Sequence, residues 1–80
     1  MKTPRDVSGL DLAKALKIFD YERIRQDASH IRMTTQLKGE HHLSIPNHRS
    51  LKIGTLKSIF RLVAAHQQIS VEAVMAKLDL

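Results

Sequence analysis

The chain has no cysteine and no tryptophan, and only 3 Gly, 2 Pro, 1 Tyr and 2 Phe. Without cysteine there is no disulfide framework, no thiol nucleophile and no Cys-rich zinc site, and a reducing compartment suits the chain. So little glycine and proline excludes a disordered, low-complexity tail protein. With aromatics at 4%, stacking cannot be the main way of reading nucleic-acid bases. Long hydrophobic runs are missing too. Met1 to Asp6 holds no apolar stretch of signal-peptide length, and nowhere do about 18 apolar residues run together. The expectation is a soluble, cytoplasmic protein with no membrane partner. Acid is also scarce: 13 Lys+Arg stand against 8 Asp+Glu, for a formal charge of +5, and a sequence pI near 10.0 points to a polyanionic partner, nucleic acid or an acidic protein.

What is present fits one domain over residues 1–80, with residues 1–7 a flexible N-terminus. A chain this short buries only roughly 60 to 65% of its unfolded surface, which disfavours a large enclosed pocket. Ser8 can cap a helix from Gly9 to about Phe19, with Asp11 in its first turn and Leu12, Ala13, Ala15, Leu16 and Phe19 on one face. Three segments then alternate with period two: Tyr21 to Gln26, His30 to Thr34, and His42 to Pro46. Asp27-Ala28-Ser29 and the stretch around Gly39 supply the turns of an antiparallel meander. Leu51 to His66 places Ile53, Leu56, Ile59, Phe60, Val63 and Ala64 in one helical arc, and Ser70 caps a last helix from Val71 to Leu78, with Ile69 set to staple onto Val74. The fold class is α+β, with two helices on one face of a three-stranded antiparallel sheet and a short C-terminal helix.

Parity assigns faces. If Ile24, Ile31, Met33, Leu43 and Ile45 point at the helices, then Arg23, Arg25, His30, Arg32, Thr34, His42 and Ser44 share the other side. That side is basic and carries two imidazoles.

Several chemistries have nothing to stand on. No acidic residues cluster as a two-metal nuclease requires, and there is no P-loop, dinucleotide turn or serine-hydrolase motif, so neither a metal nor a small-molecule cofactor is expected. His41, His42 and His48 lie close in sequence, but neighbours on a strand point to opposite faces, and solvated histidines are the better reading. His30 has two readings. It is a surface histidine at a strand end, or it is a general base for metal-free RNA cleavage, with arginines holding the phosphate. Lys57 and Arg61 likewise are either a solvated helix edge or phosphate contacts.

Arg25-Gln26-Asp27-Ala28-Ser29-His30 resembles the Arg-Gln-x-Gly-Ser-His segment of HicA toxins. Ile45-Pro46-Asn47-His48, followed by Leu51 to Phe60 (Leu-Lys-Ile-Gly-Thr-Leu-Lys-Ser-Ile-Phe), is similar to the same family's Val-Pro-x-His and Leu-Lys-x-Gly-Thr-Leu-x-x-Ile-Leu block. The resemblance implies a fold like a double-stranded-RNA-binding domain. It also implies the toxin of a type II toxin–antitoxin system: an mRNA-cleaving, metal-independent endoribonuclease with a single catalytic histidine, neutralised by a HicB-type antitoxin. His30 matches that histidine and Ser29 supports it; Arg23, Arg25, Arg32, Lys52, Lys57 and Arg61 are the RNA-binding candidates. Three departures stand out. Ala28 replaces a glycine, Asp20 replaces the glycine after the first helix, and the second helix is about one turn longer. If position 28 needs positive φ, the alternative is a catalytically weakened RNA-binding or antitoxin-binding module.

Overall fold

In the computed structural model, which describes residues 3–80, the elements follow the expected order. Helix α1 (Gly9–Ala15) tightens into a 3-10 turn over Leu16–Phe19; strands β1 (Glu22–Gln26), β2 (His30–Thr35) and β3 (His41–Pro46) follow; helices α2 (Ile53–Gln67) and α3 (Val71–Leu78) close the chain. The sheet is antiparallel, in the order β1-β2-β3, and the arrangement is that of a double-stranded-RNA-binding domain with a short third helix.

Local chemistry explains the boundaries. The Ser8 hydroxyl accepts from Asp11 N–H at 3.0 Å while the Asp11 carboxylate accepts from Ser8 N–H, a reciprocal cap that starts α1. Asp20 ends the 3-10 turn at φ 61°, the left-handed conformation that aspartate enters more readily than most residues. The Ser70 hydroxyl accepts from Ala73 N–H at 3.0 Å and starts α3. Leu12, Leu16, Ile31, Met33, Ile45, Leu56, Phe60, Val63 and Val74 are buried between helices and sheet, and Ile69 packs against that core. The flexible start expected over residues 1–7 falls in part outside the described residues. At its inner end Val7 is buried, and its carbonyl accepts from Leu51 N–H at 2.7 Å.

The alternation holds on β2 and β3 and fails on β1. Ile31, Met33, Leu43 and Ile45 face the helices; His30, Arg32, His42 and Ser44 face out and are exposed. In β1 the register slips between Arg23 and Arg25, so that Arg23 pairs with Met33 and Arg25 with Arg32. Ile24 is the extra residue of a β-bulge. It is 56% exposed and lines a shallow depression on the outer face with Arg32, His42 and Ser44. Ile24 therefore does not join the core, and Arg23, opposite an inward methionine, leaves the outer face. A bulge places one extra residue opposite its partner strand, and a one-residue slip turns side chains over. Because β1 is an edge strand with every residue exposed, no buried face held its register.

Candidate functional site

The site is built around one turn. Between β1 and β2 the chain reverses over Asp27, Ala28, Ser29 and His30, and Asp27 N–H donates to the His30 carbonyl at 3.0 Å. Asp27 Oδ1 accepts from Ser29 N–H at 2.8 Å, from His30 N–H at 2.8 Å and from the Ser29 hydroxyl at 2.9 Å. Hydrogen bonds from these backbone amides, first His30 and then Ser29, hold the Asp27 carboxyl down at about 2. The Ser29 oxygen lies 3.0 Å from His30 Nδ1. His30 is exposed, with its backbone locked and its ring open to solvent. Ala28 does not take positive φ, so its methyl group carries no left-handed strain.

A second segment braces the turn. Asn47 N–H donates to the Ser29 carbonyl at 2.9 Å, and its side-chain amide donates to the Asp27 carbonyl at 3.3 Å. The loop after β3 is fixed in turn by α1. Gly9 N–H donates to the His48 carbonyl at 2.9 Å, and a Cβ at Gly9 would overlap the Pro46 carbonyl, so glycine is needed at this approach. One end of the molecule thus gathers the Asp27–His30 turn, the start of α1 and the loop leading to Lys52, with His48, Arg49 and Lys52 exposed.

The predicted residues separate into groups. Ser29 and His30 form the turn, and Arg32 and Arg25 extend from it along the outer face. Lys52 stands at the N-terminus of α2, at the same end of the molecule. Arg23 instead lies in an open groove of about 670 Å³ beside the end of α1, with Lys17, Asp20 and Tyr21, and donates to Gln26 Oε1 at 2.8 Å. Lys57 and Arg61 line a groove between α2 and α3 with Phe60, Val71 and Met75, in the helix layer rather than beside His30. Sequence reading missed Asp27 and Asn47. The first looked like an ordinary turn aspartate, and only the Ile-Pro-Asn-His match marked the second. His41 and His42 point to opposite faces as expected, and among the described residues no three His, Asp or Glu side chains are grouped to hold a metal.

The sequence model of the family described as HicA toxin of bacterial toxin-antitoxin matches residues 9–65. The chain belongs to the HicA toxin family. The matched span runs from the first residue of α1 into α2, so it contains the whole sheet, the Asp27–His30 turn and the Asn47 brace. No curated protein and no solved structure matches the chain. Among the described residues of this HicA-family chain, no helix is long and apolar enough to cross a membrane.

A separate cluster of rings sits at the other end of the sheet. His41 pairs with Thr35 and so faces inward, where it stacks on His66 with centroids 4.4 Å apart and lies 2.7 Å from the Tyr21 hydroxyl through Nδ1. Burial pushes the phenol up to about 12. Burial, then the His66 and His42 charges, push the His41 imidazole down. His66 Nε2–H donates to the carbonyls of Leu37 and Gly39 at 3.1 and 2.9 Å, and the Lys38 ammonium donates to the Gln67 carbonyl at 2.9 Å. These bonds fasten the β2–β3 hairpin to the end of α2.

Proposed function

We propose that the protein is a cytoplasmic, metal-independent endoribonuclease toxin that cleaves mRNA with His30 and is neutralised by a HicB-type antitoxin. Membership of the HicA toxin family supports the toxin role. The observation that carries the chemistry is an exposed imidazole on a rigid turn, with Arg32 and Arg25 on the same face. RNA cleavage without a metal needs a base for the 2′-hydroxyl proton and cations for the charge that builds on phosphorus. His30 is the base. Arg25 and Arg32 hold the phosphate, and Lys52 adds charge at the same end. No cofactor enters this scheme. An antitoxin that covers the outer face masks base and phosphate site together, so RNA and antitoxin compete.

His30→Ala should reduce RNA cleavage by about 10² to 10⁴ while leaving the melting temperature and RNA binding in place. The assay is fragment formation from purified RNA in EDTA. Cleavage by the variant at the parent rate would remove His30 from the mechanism, and no cleavage by the parent would remove the enzymatic reading.

A further inference from the structure

Proton bookkeeping in the turn goes further than the position of His30. The Asp27 carboxylate is ionised and can only accept, and it takes the single hydrogen of the Ser29 hydroxyl at 2.9 Å. Toward His30 Nδ1, 3.0 Å away, that hydroxyl therefore has only a lone pair to offer. Nδ1 must supply the hydrogen, and in a neutral ring this leaves the free lone pair on Nε2.

We infer that Asp27, acting through the Ser29 hydroxyl, is a positioning residue that fixes neutral His30 as the Nδ1–H tautomer and so makes Nε2 the proton acceptor. This rests on the reading of His30 as the base. In the step itself, Nε2 takes the 2′-hydroxyl proton as the 2′-oxygen bonds to phosphorus and the bond from phosphorus to the 5′-oxygen breaks. The departing oxygen takes a proton from water, and the proton later released from Nε2 neutralises the hydroxide. While the ring is cationic, its Nδ1–H stays on Ser29, and the Asp27 charge one hydroxyl away stabilises it. Asp27 occupies the position that the Arg-Gln-x-Gly-Ser-His pattern leaves open, so its role comes from geometry rather than from the motif. The same negative charge opposes RNA binding, because it sits beside the phosphate site. Asp27 should therefore favour turnover and weaken affinity at once, a split that a purely structural turn residue does not produce.

The decisive variant is Asp27→Asn, whose amide oxygen still accepts from the backbone amides of the turn but, carrying no charge, holds the Ser29 hydrogen less firmly, so that the hydroxyl can turn and donate to Nδ1 instead. Nitrogen-15 NMR of the full chain at alkaline pH, where imidazoles are neutral, should show His30 of the parent protonated at Nδ1. In Asp27→Asn and Ser29→Ala the population should shift toward Nε2–H. Cleavage kcat should fall by about 10- to 100-fold in both, less than on loss of the base, and Asp27→Asn should lower KM. A parent His30 protonated at Nε2 overturns the inference. So does an Asp27→Asn protein with the parent's tautomer ratio, or a shifted ratio with unchanged kcat. If Asp27→Asn does not fold, the parent spectrum and Ser29→Ala decide. A parent that cleaves no RNA removes the enzymatic reading, while the tautomer measurement still tests what Asp27 does to the ring.

Discussion

At position 28 an alanine stands where the family pattern has glycine, and its backbone lies outside the left-handed region. Glycine there would add freedom to the unfolded chain and relieve nothing in the folded one. Ala28→Gly should lower stability by about 0.4 to 1 kcal/mol with cleavage unchanged, measured by parallel melting and RNA assays. Faster cleavage at equal or greater stability would mean that the methyl group restrains the turn after all. Asp20 is the contrasting case: it does take positive φ, at 61°, and its residue type made that legible beforehand. Asp27 was not legible in the same way. A turn shows in sequence through its residue types, but which amides converge on which oxygen depends on the three-dimensional path, and side-chain caps leave no periodic trace.

Among the elements, legibility followed burial. Helix α2 was readable because Leu56, Ile59, Phe60, Val63 and Ala64 are all buried along one stripe, and β2 and β3 because each presents alternate residues to the core. Strand β1 has neither face covered, so its single isoleucine could not report the register, and the bulge reversed the expected places of Arg23 and Ile24. Lys57 and Arg61 illustrate a different gap. Spacing put them on one edge of a helix, but not on the side away from the sheet's outer face. The corrected faces have a measurable consequence. In a His30→Ala background, Arg25→Ala and Arg32→Ala should each flatten the log–log salt dependence of single-stranded RNA binding by about 0.7. Arg23→Ala should resemble Lys14→Ala, an exposed position on α1, and leave the slope nearly unchanged. Anisotropy titrations at several salt concentrations measure it. An Arg23 effect equal to that of Arg25 would sink the face assignment.

The molecule as a whole is held differently at its two ends: by an aspartate turn braced on Asn47 at one, and by the Tyr21, His41 and His66 rings at the other. The second end should titrate. Since the His41 imidazole is depressed from its ordinary 6.5, the folded state disfavours the proton that the unfolded chain accepts. Its contribution to stability is complete above about pH 6.5 and is lost as pH falls through the depressed value. Denaturant melts at pH 7.5 and 5 should show a drop in the parent that is much smaller in His41→Gln. The exposed carboxylates of Asp27 and Glu40, both depressed from ordinary values near 4, do not titrate in that interval. A drop of full size in the variant would place the sensitivity elsewhere. There remains the β1 edge of the sheet. An uncovered strand is a template on which identical chains can stack without limit, yet here the ladder breaks at Ile24, and two such edges brought together would set arginine against arginine. A formal charge of +5 on each chain adds repulsion between copies. The irregularity that turns one isoleucine toward water makes this edge a poor template for pairing with another copy.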